Sequence, residues 1–124
     1  MIFTPMKISF LLLLLALSLA TVATAIPGGR EKIPNAQDDP EIHRLAVFAV
    51  NKYNSQKGLK LKLAEVVSGE QQVVAGMMYY LVIKVSSKGH ITEYYEAQIW
   101  VQAWRDFESL ESFKKITKPN KPRY

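Results

Sequence analysis

Cysteine is absent from the 124 residues, which excludes a disulfide-stapled scaffold, a thiolate nucleophile and any zinc site of the cysteine type. Only two histidines occur, His43 and His90, too few nitrogen ligands for most catalytic metal sites. No Asn-x-Ser/Thr sequon is present, so N-glycosylation is not expected. The signatures of catalysis are missing too: no G-x-S-x-G, phosphate-cradling glycine loop, H-E-x-x-H or EF-hand pattern occurs. The one adjacent carboxylate pair, Asp38-Asp39, precedes a proline and reads as turn and helix cap rather than as an acid–base pair. The chain is therefore expected to be no enzyme and to need no metal or cofactor.

A long apolar run is present only at the N-terminus. Lys7 precedes residues 8–19, which are apolar except for Ser9 and Ser18, and Ala23-Thr24-Ala25 follows with small residues at signal-peptidase spacing. The competing reading is a membrane anchor, because residues 8–25 number about 18, near the lower limit for crossing a bilayer. Ser9, Ser18, Thr21 and Thr24 dilute that run, and no basic stop-transfer cluster follows it. The expectation is a signal peptide over residues 1–25 and a secreted product, extracellular or vacuolar. About 99 residues remain, enough for one domain with one modest core. Residues 26–39 are Pro/Gly-punctuated and are expected to be a flexible lead-in, except around Ile33.

The formal net charge is +5, and Lys114, Lys115, Lys118, Lys121 and Arg123 carry much of it. Residues 117–124 read as a solvated basic tail, because Pro119 and Pro122 interrupt regular structure and no aromatics interleave with the charges. Neither nucleic-acid binding nor stable membrane association after signal removal is expected. A cationic membrane-active protein is the third function class weighed, and failure to bind anionic vesicles at low salt would remove it.

Asp39-Pro40 marks a helix start, with Asp as cap and Pro at the first helical position. Ile42, Leu45, Ala46, Ala49 and Tyr53 then share one helical face, and Gly58 closes a helix over about residues 40–56. After Gly58 the period falls to two. Leu61 and Leu63 alternate with lysines, and a phase slip near Ala64 and Glu65 predicts a bulge. Met77, Tyr79, Leu81, Ile83 and Val85 form one apolar face. Ile91, Tyr95, Ala97, Ile99 and Val101 form another on a strand running to about Trp104, with Trp100 on the opposite face. Phe107, Leu110 and Phe113 are spaced by three, and that segment is assigned as a last strand with an irregular start. These elements predict an α+β fold: one long helix packed across a curved antiparallel sheet of four to five strands.

Two places resist a purely structural account. Gln72-Val73-Val74-Ala75-Gly76 joins two strands without the usual Asn-Gly chemistry, and Ala103-Trp104 puts a large aromatic at a hairpin tip. An ordinary hairpin, and a Trp folded back on the sheet, are the bland alternatives. With Gly28-Gly29 they make three apolar or backbone-rich points. This set resembles the cystatins, specifically the plant type. Gln72, Val74 and Gly76 match the Q-x-V-x-G loop, and Gly28-Gly29 match the N-terminal glycine region. Leu45-Ala46-Val47-Phe48-Ala49-Val50, with Asn54 after it, resembles the helix signature L-A-R-F-A-V-x-x-x-N. Tyr95-Glu96-Ala97-Gln98-Ile99-Trp100-Val101 resembles the strand before the second hairpin. Val47 stands where Arg is usual, and Ala103 where Pro is usual.

The resemblance implies a cystatin-like fold and a secreted, reversible, competitive inhibitor of papain-like cysteine proteases, endogenous or from pests and pathogens, with a role in plant defence. It implies a wedge of three elements, contributed by Gly28, Gly29, Gln72, Val73, Val74, Ala75, Gly76, Ala103 and Trp104, that enters the protease cleft. Gly76 would let the backbone come close to the enzyme and adopt the loop's special dihedrals, and Trp100, away from a tip, should matter less for binding. A non-inhibitory binding module on the same scaffold is the alternative, because fold does not fix function.

Overall fold

The structure is a computed structural model and describes residues 29–120; the expected signal peptide, Gly28 and residues 121–124 lie outside the described residues. Five strands, β1 (Glu31–Lys32), β2 (Lys62–Val74), β3 (Gly76–Ser86), β4 (Thr92–Gln102) and β5 (Phe107–Ile116), pair antiparallel in the order β1-β2-β3-β4-β5. One helix, α1 (Pro40–Lys57), stands between β1 and β2 in sequence and packs across the sheet.

The helix starts and stops where its chemistry requires. The Asp39 carboxylate accepts from the Glu41 and Ile42 amides, at 2.9 and 3.4 Å, satisfying two donors that the first turn leaves free. Pro40 occupies the first helical position, and the helix ends at Gly58. Its buried face is Ile42, Leu45, Ala46, Ala49 and Val50. That face meets Val66, Leu81, Ile83, Val85, Tyr95, Ala97 and Ile99, all buried. A fully buried Leu or Ile contributes about 1.5–3 kcal/mol, so this single interface carries the domain in place of disulfides.

Asn54, the asparagine of the helix signature, closes the next connection. Its amide donates to the Leu61 carbonyl at 2.9 Å and its carbonyl accepts from the Leu61 amide at 3.0 Å. The start of β2 is thereby fixed to the last turn of α1.

The predicted slip near Ala64 is present as a register shift between Leu63 and Glu65, and a second follows between Val66 and Ser68. The spacing of Phe107, Leu110 and Phe113 also has a strand explanation. Leu110 stands opposite Ile99 while Ser112 stands opposite Gln98. Glu111 is therefore the extra residue of a bulge, which returns Leu110 and Phe113 to the same core-facing side.

The expected antiparallel sheet is present with five strands, the first only two residues long. Two expectations need correction. β4 begins at Thr92 and ends at Gln102, leaving Ile91 and Trp104 outside it. The lead-in is built into the fold from Glu31 onward: β1 pairs with Glu70 and Gln71, the Ile33 amide donates to the Gly69 carbonyl at 2.9 Å, and Ala36 is buried. Gly69 makes this docking possible. A Cβ there would stand 3.1 Å from Leu81 Cδ2 and 3.3 Å from both Ala36 Cβ and Ile33 Cδ1.

Candidate functional site

The register brings three segments to one edge of the sheet. β2 and β3 meet at a hairpin in which Val74 faces Gly76 with Ala75 between them. β4 and β5 end at the same edge, because Met77 pairs with Val101 and Gln102 with Phe107. β1 runs antiparallel to β2 with Glu31 opposite Gln71, so Gly29 and Arg30 lead toward that edge too. Of the nine residues proposed from sequence, Gly29, Gln72, Val73, Val74, Ala75, Gly76, Ala103 and Trp104 are brought there. Gly28 lies outside the described residues.

The apolar tips are uncovered. Val73 is 58% exposed and Trp104 68% exposed, although burying each would be favourable. Trp104 occupies a one-turn 3₁₀ segment, Ala103–Arg105, closed by Asp106 in the left-handed region at φ 51° and by an Asp106 amide bond to the Ala103 carbonyl at 3.2 Å. It is not folded back on the sheet.

The tips are held from behind by side chains on the outer face of the sheet. Trp100 Nε1 donates to the Ala75 carbonyl at 2.8 Å, and Gln102 Nε2 donates to the same oxygen at 2.9 Å. Two residues of β4 thus anchor the tip of the preceding hairpin. Trp100 stacks edge-on against Phe107, with centroids 5.5 Å apart, and the Arg105 guanidinium lies 4.4 Å over the Phe107 ring. This chain of contacts couples the first hairpin to the second. On the other flank, the Tyr80 hydroxyl donates to Gln72 Oε1 at 2.8 Å, and the Arg30 guanidinium lies 3.7 Å over the Tyr80 ring while pairing with Glu70 at 2.8 Å. The N-terminal segment is coupled to the first hairpin by that stack.

Gly76 has the special backbone angles expected of it, and a close approach within the chain that was not expected. At φ +100° it is in backbone space that L side chains rarely adopt, and an added Cβ would stand 2.3 Å from the Val101 carbonyl oxygen. The close approach is to this chain's own β4. Trp100, away from a tip, anchors the first hairpin through the Ala75 carbonyl. Gln102, Tyr80 and Arg30 were not legible as site residues. Strand alternation does put Trp100 and Gln102 on one face, but only the register shows that both reach Ala75.

Behind the site, Arg44 bridges Glu41 on α1 and Glu108 on β5. Its hydrogen bond to Glu41 holds that carboxyl below the usual carboxylate range, against a smaller opposing effect of burial. Burial raises the Tyr79 phenol, next to the hairpin edge, and the charges of Glu41 and Asp39 add to that rise.

Three segments, two of them with exposed apolar tips, thus converge at one edge of a helix-backed meander. Residues 34–116 match a protein-family model described as "Aspartic acid proteinase inhibitor". Cystatin-1 of Zea mays is 37% identical over 99 residues, covering 80% of this chain and 73% of that protein. Cysteine proteinase inhibitor A of Helianthus annuus is 40% identical over 76 residues, covering 61% of this chain and 92% of that protein. Among solved structures, a salivary cystatin from the soft tick Ornithodoros moubata superposes with a TM-score of 0.64 at 24% identity, over 74% of this chain and 100% of that one. The chain belongs to the plant cystatin family, a family of proteinase inhibitors rather than enzymes.

Proposed function

We infer that this chain is a secreted, reversible, competitive inhibitor of papain-like cysteine proteases that wedges its N-terminal segment and two hairpin tips into the active-site cleft. The observation that carries this reading is the convergence of those three segments at one edge, with Val73 and Trp104 uncovered and the backbone behind them anchored. Bracing lowers the ordering penalty of docking, which is how a modest area gives tight binding. The turn at Val74, Ala75 and Gly76 is not the extended peptide that a protease cleaves, so occupation blocks the cleft without reaction. The names of the maize and sunflower relatives support the protease class. The leader-like residues 1–25 support secretion, and they lie outside the described residues.

The matched family description favours a second reading, inhibition of an aspartic proteinase. Titration of a papain-like protease and a pepsin-like protease with the chain from Ile26 separates them. Stoichiometric, substrate-competitive loss of papain-like activity at nanomolar to micromolar protein is expected. Loss of pepsin-like activity alone would move the function to the second reading. Full activity of both enzymes would leave a non-inhibitory binding module.

A further inference from the structure

The large apolar side chains exposed among the described residues fall into two pairs at opposite ends of the sheet. Val73 and Trp104 are at the hairpin edge; Leu59, 43% exposed, and Ile91, 58% exposed, are at the other end. The protease reading uses the first pair and leaves the second without a role.

The surroundings of that second pair are strongly basic. Lys62, Ser86 and Thr92 form the last paired row of β2, β3 and β4, about 10 Å across at ordinary strand spacing. Beyond this row run the end of α1 with Lys57, the connection carrying Leu59 and Lys60, and the turn carrying Lys88, His90 and Ile91. Lys118 lies two residues past the end of β5. Because Ile116 pairs with Tyr94, continuing that count brings Lys118 level with Thr92. Lys57, Lys60, Lys62, Lys88 and Lys118 are all exposed, and none is in a salt bridge among the described residues. Residues 57–62, 86–92 and 117–120 contain no Asp or Glu. The nearest acid along β4, Glu93, is already engaged by Lys115 at 3.4 Å and by the Tyr95 hydroxyl at 3.0 Å.

We propose that this end of the domain docks on an anionic phospholipid surface. Five lysines drawn from separate segments supply the attraction to acidic headgroups. Leu59 and Ile91, set among them, supply aliphatic side chains for the boundary between headgroups and acyl chains. A soluble polyanion would use the lysines and leave both aliphatic side chains without a role. Along the chain, Lys118 belongs to a solvated tail; the pairing of β5 with β4 leads it to the same end of the sheet as four lysines that lie 30 to 61 residues earlier. The association is peripheral and salt-sensitive, unlike a spanning anchor. It points the hairpin edge away from the membrane, so the surface-bound domain keeps that edge open.

The test is flotation of the chain from Ile26, which retains every described element and lacks the apolar leader, with phosphatidylcholine vesicles with and without phosphatidylserine. The native chain should float only with phosphatidylserine vesicles and should be released as salt rises. Lys60→Glu with Lys88→Glu should lower the partition coefficient roughly tenfold or more. Leu59→Ser with Ile91→Ser should also weaken binding at unchanged charge. The proposal is overturned if the native chain floats equally with both vesicle types or with neither, and that arm does not depend on any variant folding. It is equally overturned if the Leu59/Ile91 variant binds like the native chain, which would mark the surface as a polyanion site.

Discussion

The indole of Trp100 and the carbonyl of Ala75 lie 25 residues apart in sequence and 2.8 Å apart in space, and Gln102 shares the same acceptor at 2.9 Å. The hairpin tip is therefore held by two donors from a neighbouring strand. Removing one donor leaves the other, so the two losses should not add. Trp100→Phe and Gln102→Met should each raise the inhibition constant about two- to tenfold, from about 0.5–1.5 kcal/mol per net hydrogen bond. The double variant should lose more than the product of the two. A double-mutant cycle on inhibition of one papain-like protease measures this, and a strictly additive cycle would deny the shared anchor.

Gly76→Ala needs no bulky group to be disruptive. The methyl would stand 2.3 Å from the Val101 carbonyl, and the residue would be held at φ +100°. The end of the β3–β4 ladder should open, lowering stability by about 1–3 kcal/mol along with inhibition. Amide exchange should accelerate near the hairpin and remain slow at Leu81 and Ile99. A native melting temperature would contradict this account.

Trp104 is exposed, so its truncation removes a binding contact without leaving a cavity. Trp104→Ala should raise the inhibition constant by roughly 30-fold, mainly through faster dissociation, with stability unchanged within about 0.5 kcal/mol. Ala103 is the first residue of its 3₁₀ turn, a position that accepts Pro. Ala103→Pro should slow dissociation by an amount worth at most about 1 kcal/mol. If Trp104→Ala dissociates at the native rate, the second hairpin does not touch the enzyme.

Asn54→Ala removes both bonds that hold the Leu61 backbone, and Leu61 is buried. Two buried backbone groups would lose their partners, lowering stability by about 1–3 kcal/mol in chemical denaturation. Inhibition by the remaining folded protein should be unchanged, because Asn54 is far from the hairpin edge.

Burial pushes the Tyr95 phenol up to about 12, with the hydrogen bond to Glu93 and its charge adding to the rise. The unfolded chain then releases this proton at lower pH than the folded one. Stability is unaffected below about pH 10 and falls as pH rises from about 10 to 12, by a few kcal/mol at most. Tyr95→Phe should flatten that alkaline limb of the melting-temperature profile. Tyr79, raised for the same main reason, should leave a residual slope.

The helix was legible from residue 39 to residue 58 because its determinants are local: Asp39, Pro40, a 3.6-residue apolar period and a closing Gly58. The apolar faces of β3 and β4 were legible for the same reason, through a period of two. The Phe107, Leu110 and Phe113 spacing was not decisive alone, because a bulged strand and a helix turn give the same interval. The lead-in looked flexible because what orders it, the space over Gly69, lies more than 30 residues away.

By itself the sequence determined the helix, the strand phases and the identity of the three tip segments, since each depends on neighbours within a few residues. Tertiary structure alone decided that Trp100 and Gln102 meet at Ala75, that Gly76 faces the Val101 carbonyl, and that lysines from three separate segments share one end. These relationships depend on strand register, and register is settled by the packing of a whole face against the helix, because a slip of one residue would turn every buried side chain outward.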